Sequence, residues 1–97
     1  MLRHVVLFRW NADTGAAQVD VIEAELRALL GRLDMVRSWT LGRDAGLRDG
    51  NADMALVVDF DDADAFRRYS ADAGHQRILQ ELILPAGSRL GVQFELD

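Results

Sequence analysis

An α+β fold, an antiparallel sheet with helices packed on one face, is predicted by three features of the chain. RHVVLFRW (3–10) and MALVVDF (54–60) are rich in β-branched and aromatic residues and short enough to be strands. Between Ala16 and Leu33 the apolar residues instead recur every three or four positions, the stripe of an amphipathic helix. The segments alternate in the order strand, helix, strand, strand, helix in two pieces, strand.

The first strand carries His4, Val6, Phe8 and Trp10 on one face and Arg3, Val5, Leu7 and Arg9 on the other, so both faces are apolar enough to be buried. A turn follows over Asn11 to Gly15, where Asp13 or Thr14 is suited to cap the next helix. In that helix Val19, Ile22, Leu26, Leu29, Leu30 and Leu33 form a single core-facing stripe. VRSWTLGRD (36–44) alternates as a second strand, and DAGLRDGNAD (44–53) is a loop with Asp-Gly and Asn turn chemistry. Met54 to Phe60 is again apolar on both faces. Asp61 or Asp62 caps a helix over 63–71, Gly74 breaks it, and a second piece over 75–85 runs to Pro85. SRLGVQFEL (88–96) ends the sheet with Leu90, Val92, Phe94 and Leu96 on one face.

This order is the split βαβ arrangement of the ferredoxin-like class, here a single domain over residues 1–97. Val5, Leu7, Ala55, Val57, Trp39 and Leu41 are assigned to the sheet face away from the helices. That face is too apolar for water, so a partner sheet is expected, most simply from a second copy about a two-fold axis.

Composition narrows the chemistry. With 16 acids against 11 bases and a net charge of −5, the chain is not expected to bind nucleic acid. Every base is an arginine, which excludes Schiff-base and lysine-nucleophile mechanisms, and the lack of cysteine excludes thiolate nucleophiles and thiolate metal sites. MLRHVVLFRW has too short an apolar core for a signal peptide, and no run is long enough to span a membrane, so a cytoplasmic protein is expected. The glycines of 42–53 lack the ending of a phosphate-binding loop, and the aspartates of 44–53 and 59–64 lack calcium-loop spacing. Neither a cofactor nor a metal is expected. Trp10 and Trp39 are read as packing residues.

The stretch YSADAGHQRI (69–78) sets Tyr69 six positions before His75. His75 lies at the start of a helical piece, where the dipole disfavours imidazolium and keeps the ring able to accept a proton. Tyr69 can donate a hydrogen bond to a carbonyl oxygen as charge develops on it. Together they could abstract a proton next to a carbonyl. The competing reading has Tyr69 packing beside Phe66 and His75 capping the helix. His4 interrupts an apolar strand face and points between sheet and helices.

RHVVLF at the start, the strand ending in Phe60, Tyr69 nine residues later and His75 six beyond that resemble the stress-responsive A/B barrel (Dabb) family over essentially the whole chain. The family usually has Tyr, two residues, then HPxH; Asp72 and Ala73 stand here in place of the His-Pro pair. The resemblance implies a homodimeric α/β barrel joined sheet to sheet. In the plant olivetolic acid cyclase of that family, a His base and a Tyr donor close a polyketide thioester by aldol condensation. By that resemblance His75 and Tyr69 would be catalytic, and His4, Val6, Phe8, Leu56, Ile78 and Leu79 would line a substrate pocket. The expected function is therefore a cofactor-independent cyclase or aldol-type enzyme acting on a small apolar, polyketide-like carbonyl compound. The alternatives are a non-catalytic ligand-binding or stress-responsive dimer, and a cofactor-independent monooxygenase.

Overall fold

The computed structural model describes residues 1–97. Its elements are β1 (Leu2–Trp10), α1 (Ala16–Arg32), β2 (Ser38–Arg43), β3 (Met54–Phe60), α2 (Ala63–Ala71), α3 (Ala73–Ile78), a π-helical turn (Leu79–Ile83), a last turn α4 (Leu84–Ala86) and β4 (Gly87–Glu95). The strands form one antiparallel sheet in the order β2-β3-β1-β4, with β1 and β3 central. The expected ferredoxin-like architecture is thus present.

The helices cover one face of the sheet. Val6, Phe8, Leu56, Val58 and Phe60 project from the strands against Ile22, Leu26 and Leu29 of α1 and Tyr69 of α2, all buried. Each such apolar side chain contributes roughly 1.5–3 kcal/mol relative to exposure.

Three expectations need correction. Trp39 and Leu41 do not lie on the open face: β2 pairs with β3 so that Leu41 opposes Leu56 and Trp39 opposes Val58, which puts both on the helix side. Leu41 is buried there, and the Arg27 guanidinium lies 5.7 Å from the Trp39 ring centre. The N-cap of α1 is Gly15, not Asp13 or Thr14. Its amide donates to the Gln18 side chain, while the Thr14 hydroxyl donates to the Ala86 carbonyl at 2.6 Å.

The third correction concerns the helix break, which falls at Asp72 and not at Gly74. Asp72 takes an extended ψ of 133° and its carboxylate accepts from the His75 amide at 3.0 Å, so it caps α3. Gly74 lies inside the first turn, against α1: a Cβ there would come within 3.2 Å of Leu29 and collide with the Arg32 side chain. The helical run continues through Pro85 to Ala86. Pro85 lacks an N–H and crowds the carbonyl four residues back, and the chain meets this with a π turn in which the Leu84 amide reaches the Leu79 carbonyl.

The opposite sheet face is bare. Val5 opposes Val92 and Leu7 opposes Leu90. Leu7, Leu90, Val92 and Phe94 are between 41% and 74% exposed, a contiguous apolar surface that a monomer rarely leaves in water.

Candidate functional site

β4 supplies what the helices leave uncovered. Its helix-side positions are Arg89, Gly91, Gln93 and Glu95, opposite Phe8, Val6, His4 and Leu2 of β1. This polar edge and the break between α2 and α3 frame a cavity of about 220 Å³. An apolar cavity of about 150 Å³ takes benzene, so this one has room for a single substituted ring or a short chain.

His4, Val6, Phe8, Leu56, Tyr69, His75 and Leu79 line it. Ile78 does not: it is buried in the core, one residue and about 100° around the helix from Leu79. Phe66, Ser70, Arg89, Gly91 and Gln93 also face the cavity, and none of them had been read as part of a site. The alternation of polar residues along 89–95, opposite His4, was the available signal for the last three.

The three polar side chains expected to act together are close. The rings of Tyr69 and His75 are 4.4 Å apart between centres, and those of His4 and Tyr69 are 6.0 Å apart. The capping bond from Asp72 sets the first turn of α3 and with it the position of His75. Tyr69 is also held by Phe60, with 5.2 Å between ring centres. The packing of Tyr69 near Phe66 and the capping at His75 are both present, but His75 is capped through its backbone, which leaves the imidazole free.

Burial dominates the electrostatics. It pushes the Tyr69 phenol up to about 12, so the hydroxyl stays protonated and acts as a donor. His4 is pushed down to about 4, first by burial and then by the charges that His75 and Arg89 would present. His75 is also lowered, again by burial first; the Ser70 carbonyl and Asp72 oppose that shift and Arg89 adds to it. The direction expected from the helix dipole is seen, with desolvation as the cause. Both shifts favour the neutral ring.

Neutral rings still differ in their hydrogen bonding. Gln93 Nε2 donates to His4 Nδ1 at 2.8 Å, which leaves the His4 proton on Nε2. His75 Nδ1 is enclosed without a partner. The Ser70 carbonyl, the backbone group that favours the charged ring, accepts from Gln76 Nε2 at 2.7 Å. Nε2 of His75 is not enclosed in this way, and His75 lines the cavity. The arrangement can take a proton at His75 and donate hydrogen bonds from Tyr69 and His4. No group of three or more His, Asp or Glu side chains converges as a metal site, and no helix is long and apolar enough to cross a membrane.

Comparison with known proteins agrees with the fold. The chain is 36% identical to a dimeric ferredoxin-like protein of unknown function from Thermobifida fusca, with a TM-score of 0.90 over 98% of this chain and 90% of that one. A hydroxynitrile lyase from Passiflora edulis shares the fold at 18% identity, with a TM-score of 0.86 over 99% and 93% of the two chains. An uncharacterized protein of Streptomyces coelicolor is 35% identical over 78 residues, 78% of this chain and 80% of its own length. The profile of the Stress Responsive A/B Barrel Domain matches residues 2–95, and the chain belongs to that family.

Proposed function

We propose that the protein is a homodimeric, cofactor-independent enzyme of the bacterial cytoplasm that removes a proton next to a carbonyl and uses the enolate for aldol-type bond formation, as in a polyketide-like cyclisation. The observation that carries this reading is the neutral, cavity-facing imidazole of His75, with the Tyr69 ring centre 4.4 Å from its own, in an otherwise largely apolar cavity.

The step balances without another reagent. His75 Nε2 takes the proton from the carbon beside the carbonyl, the C–H electron pair becomes the enolate π bond, and the oxygen takes the charge. The Tyr69 O–H donates to that oxygen, and the Nε2–H of His4 supplies a second donor to the same cavity. The enolate carbon then attacks a second carbonyl, forming one C–C bond, and the imidazolium returns its proton to the new alkoxide. Removal of water by the apolar walls of Val6, Phe8, Leu56 and Leu79 strengthens these charge-dependent contacts.

The dimer would form through the bare sheet face, in keeping with the dimeric relative of 36% identity. Fold alone does not select the reaction, since the shared architecture includes a hydroxynitrile lyase. The test is loss of the methyl protons of acetophenone into D2O, followed by NMR without dioxygen. Exchange by the wild type and none by His75→Ala is expected. Acetophenone that binds without exchanging would leave a binding module, and consumption only with dioxygen would indicate oxygenation.

A further inference from the structure

Arg89 is the one ionised side chain around the cavity. The other lining residues are apolar, neutral or histidine, and none is Asp or Glu. That is unusual for this chain, which carries 16 acids and pairs most of its arginines. Arg3, Arg27, Arg32, Arg37, Arg43, Arg67 and Arg77 all meet carboxylates, and Arg9 donates to the carbonyls of Gly50 and Asn51. Arg89 has neither an ion pair nor a hydrogen-bond partner, a state it shares with Arg48 and Arg68, which line no cavity.

Its position follows from the strand. Arg89 opposes Phe8 on the helix side of edge strand β4, two residues from Gly91, which adds no side chain to the wall. Arg89 lines the same cavity as His4, Tyr69 and His75, and its charge adds to the lowering of both imidazoles that burial begins. A guanidinium presents a planar fork of donors that matches a carboxylate, and here no internal acid competes for it.

We propose that Arg89 is an anion subsite, and that the cavity takes a small apolar carbonyl compound bearing a carboxylate. This rests on the carbonyl reading of the site given above. The carboxylate lies at the Arg89 edge and the apolar body against Phe8, Leu56 and Leu79, with the carbonyl toward Tyr69 and His75.

The test compares 4-acetylbenzoate with 4-acetylbenzamide, which have the same shape and differ in charge, by isothermal titration calorimetry at low salt. The wild type should bind the acid at least tenfold more tightly than the amide. Arg89→Gln should remove that preference while leaving the amide within twofold, and His75→Ala should keep it. Equal binding of the two by the wild type, a preference retained in Arg89→Gln, or no binding of either would overturn the subsite. The catalytic reading is decided separately: a carboxylate preference without acetophenone exchange leaves the subsite and removes the base, whereas exchange without preference removes only the subsite.

Discussion

His4 of β1 and Gln93 of β4 stand directly opposite one another in the ladder, and the Gln93 amide donates to His4 Nδ1 at 2.8 Å. The bond fixes the tautomer of a buried histidine from the edge strand. Gln93→Glu places a carboxylate against the same nitrogen, which favours the imidazolium. The His4 pKa should rise from about 4 by on the order of 1–3 units, read by NMR titration of its Cε1 proton. An unchanged value would mean that Gln93 does not contact the ring in solution.

Stability should fall as the solution is acidified from neutrality. The folded protein holds His4 and His75 below the 6.5 of a free imidazole, so between that value and about 4 the unfolded chain binds more protons than the folded one. The stabilisation is therefore complete above pH 6.5 and is lost as pH falls toward the folded value of His4. Urea unfolding at pH 7 and pH 4.5 should differ by on the order of 1–3 kcal/mol from these rings, and His4→Phe should flatten part of that slope.

Tyr69→Phe separates chemistry from packing. The ring is 1% exposed and packs on Phe60 and His75, whereas its hydroxyl bonds to nothing in the chain. The variant should unfold within about 1 kcal/mol of the wild type. Its exchange rate should fall by roughly 10²–10³, as for loss of one donor to a developing oxyanion. An unaffected rate would assign Tyr69 to structure alone.

A side chain at position 91 should close the cavity without harming the fold. A Cβ built on Gly91 meets nothing nearer than 3.7 Å, and its neighbours include the His4 ring at 4.0 Å. Gly91→Val adds a residue that suits a strand, so the melting temperature should hold or rise by a few degrees, from roughly 0.5–1 kcal/mol. Binding of 4-acetylbenzamide should weaken at least tenfold. Unweakened binding would show that the ligand lies elsewhere.

The bare sheet face makes its own prediction. Val92 is 54% exposed beside Val5, Leu90 and Phe94. Val92→Glu should convert the dimer to a monomer in analytical ultracentrifugation at micromolar concentration, because a carboxylate cannot be buried unpaired between two sheets. A wild type that sediments as a monomer would contradict this assembly.

Most of the fold was readable because β1, α1 and β3 each carry a strong periodic pattern. β2 was found but turned over. Its two alternating sets, Arg37, Trp39, Leu41 and Val36, Ser38, Thr40, are both mixed, so only the pairing with β3 decides its faces. The helix break was placed at Gly74 since glycine is the usual breaker, yet the capping carboxylate of Asp72 decides it. Tyr69, His75 and His4 stand out in the sequence by spacing and family likeness, whereas Arg89, Gly91 and Gln93 are the non-apolar half of an edge strand, which only the pairing with β1 sets opposite Phe8, Val6 and His4. Which of Ile78 and Leu79 faces the cavity depends on helix rotation, and a burial pattern alone does not reveal it.

The central claim is that His75 is a neutral base poised beside a carbonyl site. Its most direct test is the pH dependence of acetophenone exchange in the wild type and in His75→Ala. The account predicts a rate that is level above pH 6.5, declines only at lower pH as His75 gains its proton, and vanishes in the variant. A rate that survives in His75→Ala, or that simply climbs with hydroxide through neutral pH, would contradict it.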